Sequence, residues 1–278
     1  MDLALVLLGF IMGGALGALG GGGSILAVPM LIYIAGESIK VGTTASLVAV
    51  GAAALAGAIG HFFAGRVKVG KGLVFGFVGI GGSLLGSALN KLANPNLLLL
   101  LFALFMAFVA VRMIRTNTSN PGAVREAQAL SEATETATGD DQSSSVGLKR
   151  SGSVRKITRV VIAGTVVGFL TGFFGVGGGF VIVPALVLAL DFSIQDAIGT
   201  SLLVIAVNSA IALSVRLGQT HIDWSVVLLF SSGALVGSLL GSRAASKFQG
   251  VALKRAFVLL LILLAIYMGT DSIIKLVG

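Results

Sequence analysis

Residues 17–29 read GALGGGGSILAVP and residues 172–184 read GFFGVGGGFVIVP. In each, a cluster of glycines leads directly into a short apolar segment that contains a proline. Glycine frees the backbone dihedrals and lets a ligand approach the main chain closely. A helix that starts after such a cluster offers N–H groups without intrahelical partners and the positive end of its dipole, which together make an anion site. The chemistry on offer is recognition of a small anion. The candidates are Gly22, Gly23 and Ser24 in the first stretch and Gly177, Gly178 and Gly179 in the second. Pro29 and Pro184 suit the first turns of the helices that follow, where a missing N–H costs least. Gly175-x-Gly177 is not a nucleotide loop, because no strand is expected before it and no Walker lysine follows. Packing is the competing explanation for glycine. At Gly82-x-x-x-Gly86 and Gly233-x-x-x-Gly237-x-x-x-Gly241 the spacing points to close helix contact, but four near-consecutive glycines exceed what contact needs.

Polar side chains downstream could complete such a site. Thr43 and Thr44 follow the first stretch; Thr200, Ser201 and Asn208 follow the second. Their hydroxyls and amide can donate hydrogen bonds to oxyanion oxygens. Thr43 and Thr200 equally suit helix N-caps, and hydroxyls inside a helix can bond back to it, so both readings stand. Asn208 is harder to dismiss, since an amide in an apolar helix needs partners. His61 and Arg216 lie 155 residues apart and offer positive charge that would attract an anion; snorkelling to an interface is the other reading. Ser24 with His61 or His221 would form a nucleophile–base pair, but Gly179 stands where the second copy needs its serine. The chain is therefore read as a non-enzyme. It has no cysteine, which removes thiol catalysis and cysteine-held metals, and no cofactor is expected.

The elements that must position these residues are membrane helices. Of 278 residues, 56% are hydrophobic and 11% charged, with a mean hydropathy of +1.03; soluble domains carry about 25% charged residues. Apolar runs at 43–64, 71–89, 96–114, 197–215, 224–242 and 256–274 approach the roughly 20 residues that cross a bilayer. The net charge of +8 sits in loops and at segment ends, with no aromatic-interleaved basic face for nucleic acid. The fold class is an all-α polytopic membrane protein of the cytoplasmic membrane. The first apolar run, beginning at Leu3, reads as a retained segment, since no basic n-region precedes it.

The chain also repeats itself. Pro29 and Pro184 are 155 residues apart, as are Gly22 and Gly177, and GSLLGS recurs at 82–87 and 237–242 with the same offset. An ordered series of matches indicates an internal duplication. The halves are 1–115 and 157–278, each with five helical segments: 3–19, 24–35, 43–64, 71–89 and 96–114, then 158–174, 179–190, 197–216, 224–246 and 252–275. The second segment of each half is about 12 residues, or roughly 18 Å of helix, too short to span a core of about 30 Å, so a glycine-broken half-helix or re-entrant hairpin is expected. Residues 116–156 are rich in Ser, Thr, Ala and acidic residues and read as a flexible cytoplasmic linker. Arginines and lysines flank that linker and cluster at Arg66, Lys68 and Lys71 and at Arg243, Lys247, Lys254 and Arg255. By the positive-inside rule these loops face the cytoplasm, the loops with Lys91 and with His221 and Asp223 face outward, and the halves form an inverted repeat.

GFFGVGGGFVIVPAL followed by AIGTSLLVIAVNS, and GALGGGGSILAVPML with VGTTASL, resemble the paired motifs of the TauE/SafE family of sulfite exporters over nearly the whole chain. The resemblance implies a membrane transporter for small sulfur-containing anions, sulfite or organosulfonates, with the anion held at paired helix N-termini. An anion channel, or a carrier of another small organic anion, remains the alternative. No Asp or Glu falls mid-segment, which disfavours carboxylate-coupled proton antiport. Efflux of an anion from a negative interior gains about 2.3 kcal/mol per unit charge per 100 mV, so voltage-assisted export by alternating access is expected. The partners are the anion and the lipid bilayer, and a homo-oligomer is compatible with the chain.

Overall fold

In hydrocarbon every backbone N–H and C=O must find a partner within its own segment or a closed barrel, and the apolar runs fold accordingly as helices. The computed structural model describes residues 2–36, 39–90, 92, 95–115, 146–174, 179–216, 224–248 and 250–277. Among them all regular structure is helical.

The first half runs α1 (Asp2–Leu19), a single tight turn over Gly20–Gly23, α2 (Ser24–Pro29) continued by a wider turn over Met30–Ile34, α3 (Ile39–Phe63), α4 (Val69–Asn90) and α5 (Pro95–Arg115). The second runs α6 (Val146–Phe174), α7 (Gly179–Leu190), α8 (Ile194–Arg216), α9 (Trp224–Lys247) and α10 (Gly250–Val277). By length and composition six helical stretches can cross a membrane: Leu3–Ile32, and those in α3, α4, α8, α9 and α10. α6 starts at Val146, so its helix reaches back into the segment read as linker; residues 116–145 of that segment lie outside the described residues. So do Lys91 and the loop with His221 and Asp223.

Two glycine ladders hold the bundle. Gly9, Gly13 and Gly17 of α1 lie against the backbones of Phe230, Ala234 and Ser238 of α9. Gly164, Gly168 and Gly172 of α6 lie in the same way against Phe75, Gly79 and Ser83 of α4. Gly237 and Gly241 in turn face Phe10 and Gly14, while Gly82 and Gly86 face Thr165 and Phe169. Every contact in one ladder recurs in the other 155 residues away. Backbones approach this closely only where neither helix carries a larger side chain. Residue numbers rise together along both ladders, so α1 runs parallel to α9 and α6 to α4. Asn90 Nδ2 donates to the Phe173 carbonyl at 2.6 Å and ties the last turns of α4 and α6.

α3 and α8 cross at the centre. Gly51 faces Ser209, Gly57 faces Leu202 and His61 faces Gly199, so these helices run antiparallel. Ser238 Oγ donates to the Ala53 carbonyl at 2.6 Å and joins α9 to α3. Gly72 faces Thr200 and Gly76 faces Val204, which makes α4 parallel to α8. One end of the bundle therefore collects the ends of α3 and α9 and the beginnings of α4, α6, α8 and α10. That end carries Arg66, Lys68, Lys71, Arg159, Arg243, Lys247, Lys254 and Arg255.

The chain doubles back after α1. Residues seven apart on a straight helix are about 10 Å apart, yet the space beside Gly23 is filled by the Leu16 backbone. Gly20 makes the reversal at φ +71°, a left-handed conformation that residues with a Cβ rarely adopt. On the outside, Leu104, Phe108 and Leu228 are exposed, as suits a surface solvated by lipid. Inside, Phe102 of α5 packs on Phe174 of α6 at 5.0 Å and on Phe180 of α7 at 5.1 Å between ring centres.

Candidate functional site

A cavity of about 1060 Å³ lies between α2, α3, α4, α6, α8 and α10. It touches the first half of α3, the second half of α8, the middle of α4 and α10 and the later turns of α6, which places it from the middle of the bundle outward, away from the basic end. None of its lining residues is charged.

Of the residues picked out by sequence, Ser24, Thr43 and Asn208 line this cavity. Ser24 Oγ is committed as a donor to the Gly21 carbonyl at 2.7 Å, and the Ser24 N–H bonds the same carbonyl. α2 thus continues a tight turn and does not begin with all its donors free. Gly22 is buried beside Leu260 and Phe257, and Gly23 beside Leu16, both off the cavity. Gly177 and Gly178 lie outside the described residues. Gly179 meets Ser24 Oγ and the Gly21 carbonyl, so the two glycine stretches touch beneath the cavity, backbone against backbone.

Thr44, Thr200, Ser201 and His61 are buried without lining the cavity. Thr200 Oγ1 accepts the Lys68 N–H at 3.1 Å. Ser201 Oγ bonds back to the Ile198 carbonyl at 2.8 Å and sits against Gly20. His61 Nε2 is 3.1 Å from the Gly17 carbonyl. Arg216 is the last residue of α8.

Five other polar side chains line the cavity: Ser46, Ser83, Thr171, Ser209 and, largely exposed at its rim, Tyr267. Ser46 Oγ is spent on the Thr43 carbonyl at 2.8 Å. Ser83, Thr171 and Ser209 make no hydrogen bond to another described residue, and Asn208 Oδ1 is buried without a partner among them. Ser83, Thr171, Asn208 and Ser209 thus supply three hydroxyl donors and an amide from α4, α6 and α8 to one apolar space. Neutral donors set among apolar walls can hold an oxyanion by hydrogen bonds without the cost of burying a countercharge. Sequence reasoning missed Ser83 and Thr171 because a serine or threonine among small residues looks like helix packing. Their one signal was position, each next to a glycine of the α4–α6 ladder.

A helical bundle with six stretches able to cross a membrane is a multi-pass membrane protein, and its relatives are named as probable membrane transporters. The chain is 36% identical over 264 residues to a "Probable membrane transporter protein" of Xylella fastidiosa (strain 9a5c), covering 93% of this chain and 91% of that one. It is 29% identical over 287 residues to "Probable membrane transporter protein YunE" of Bacillus subtilis (strain 168), covering 96% and 98%. Residues 5–268 match the family described as "Sulfite exporter TauE/SafE". The chain belongs to that family. No solved structure matches it.

Proposed function

We propose that this transporter exports small sulfur-containing oxyanions, sulfite or organosulfonates, across the cytoplasmic membrane by alternating access. The observation that carries the reading is the charge-free cavity in which Ser83, Thr171, Asn208 and Ser209 present polar groups unpaired among the described residues, above the contact of Gly21 with Gly179. An anion there is bound by hydrogen bonds rather than a salt bridge, which allows its release.

Several features support an inverted repeat with its site near the midplane. α3 and α8 are repeat-equivalent yet run antiparallel, and the ladders pair α1 with α9 and α6 with α4 across the halves. The reversal at Gly20 supports a re-entrant hairpin. Basic residues gathered at one end mark that end as cytoplasmic, which makes the cavity outward-facing. Beneath it Gly20–Gly23 are fully packed, an arrangement that favours a carrier over an open pore.

A thermal-shift panel on purified protein tests the substrate class with sulfite, sulfate, thiosulfate, sulfoacetate, taurine and carboxylate analogues. Stabilisation by sulfite or sulfoacetate is expected. Stabilisation by carboxylates alone would sink the sulfur-anion reading. The site is tested separately by Asn208→Leu, which is close in volume and removes the amide. Loss of a hydrogen bond to a charged ligand is worth about 1.5–3 kcal/mol. Uptake of labelled sulfoacetate into proteoliposomes should thus weaken roughly tenfold or more, with elution in gel filtration unchanged. Unaltered uptake would remove Asn208 from the site.

A further inference from the structure

His61 is the one ionisable side chain among the fully buried residues described, at 1% exposure. It lies on the cytoplasmic side of the glycine contact, at the meeting of α1, α3 and α8. Its Nε2 is 3.1 Å from the Gly17 carbonyl, three residues before the reversal at Gly20. Its Cβ lies against Gly199, next to the Thr200 that accepts the Lys68 N–H. Its Nδ1 is buried and has no partner among the described residues.

We propose that His61 is a proton-binding site of the transport cycle: neutral while the cytoplasmic end is sealed, as here, and protonated when that end opens. The proposal rests on the alternating-access reading but not on which anion is carried. With Nε2 as the donor to Gly17, a neutral ring leaves Nδ1 as a bare acceptor, which an apolar contact tolerates. A protonated ring carries a second N–H with nowhere to donate and a full charge out of water, which is costly unless paired. Imidazole normally charges between pH 5 and 8, so the cost falls within the physiological range.

The charges around it do not neutralise that proton. Arg66 follows on the next loop, where its backbone N–H bonds the His61 carbonyl at 3.0 Å, and it is the neighbouring cation. Lys68 of the same loop pairs at 3.8 Å with Asp196 in the first turn of α8, so the nearest carboxylate on a packed element is already engaged. α9 brings Arg243 and Lys247 to this end, and the part of α1 beside His61 has no ionisable residue. Opening the seal would hydrate the ring and free it to take a proton from the cytoplasm. On resealing, the ring would return that proton to the cytoplasm, so that opening of the seal is linked to protonation even though no mid-membrane carboxylate is present among the described residues.

The chain lacks cysteine, so one introduced thiol reports on one place. Ile198 is fully buried beside Gly20, and Ile198→Cys reports on the cytoplasmic seal; Ser209→Cys reports on the cavity. Maleimide labelling is measured in proteoliposomes from about pH 8 to about pH 5.5, each rate divided by that of the same protein unfolded at that pH. Acidification should speed labelling of the Ile198→Cys protein by about fivefold or more and slow that of the Ser209→Cys protein, a population shift between two states. With His61→Gln added, whose amide can still donate to Gly17, both rates should stay flat; His61→Asn serves if the first variant does not fold. A flat response with His61 present overturns the proposal, as does an equal response without it, or faster labelling at both positions, which would mean general loosening. If sulfoacetate also leaves the thiol at position 198 unlabelled at every pH, alternating access falls with it.

Discussion

Gly168→Leu is expected to leave almost no folded protein, while Gly81→Leu on α4 yields close to the normal amount. The space a side chain would need at Gly168 is occupied by the Gly79 backbone of α4, its Cα 2.6 Å from the new Cβ. A carbonyl locked in a helix cannot swing aside as a long side chain can, so the helices themselves must part. Overpacking a core commonly costs about 1–3 kcal/mol and more where backbone must move. Separation also forfeits dispersion along the whole ladder. Against a total stability of about 5–15 kcal/mol that loss is decisive. At Gly81 nothing lies within 4 Å, and leucine there meets lipid. Gly13→Leu should fail as badly, because Gly13 meets the backbone of Ala234 as Gly168 meets that of Gly79. Fluorescence-detected gel filtration of detergent extracts checks all three. A normal peak for Gly168→Leu would show that the ladders are not what holds the bundle.

The ladders also mark how far the sequence could be read. Small-xxx-small spacing at Gly82, Gly86, Gly233, Gly237 and Gly241 announces close packing, and those residues do pack closely. Spacing cannot name the partner. That α9 lies on α1, and α4 on α6, depends on how the halves dock, a matter of tertiary shape. The first glycine cluster was legible as an interruption because nothing else in an apolar segment explains four glycines, and Gly20 turns the chain there; residues 175–178 of the second lie outside the described residues, and that Gly21 meets Gly179 follows only from the docking. Hydroxyls were the least legible. Thr43, Thr200 and Ser201 stand out by their place in a repeated motif, yet Thr200 holds a loop and Ser201 bonds its own helix. Ser83, Thr171 and Ser209 reach the cavity because of the rotation of their helices about their axes. That rotation is set by the neighbours, and the stretch from Val160 to Phe174 around Thr171 is too evenly apolar to reveal a buried face.

The contact of the glycine stretches leads to the second large effect. Gly21→Ala should abolish transport while leaving the protein folded. A methyl group there would overlap the carbonyl of Gly179, pushing the turn at Gly20–Gly23 away from the start of α7 beneath Ser24. This contact joins short segments at the centre of the molecule, whereas the ladders and the α3–α8 crossing carry most of the packing. The bundle should therefore survive a shift of an ångström that the site does not. Misplacing a site by that much costs on the order of a hundredfold where positioning does the work. Uptake of labelled sulfoacetate into proteoliposomes should drop by about that factor, with the elution profile of the unmodified chain retained. Gly70→Ala, in open space at the start of α4, serves as the neutral control. Full uptake by Gly21→Ala would mean that the glycines only let the chain turn. Loss of folded protein would instead mean that the contact belongs to the scaffold. Transport lost from an intact bundle is the outcome that assigns this contact to carriage and the ladders to support.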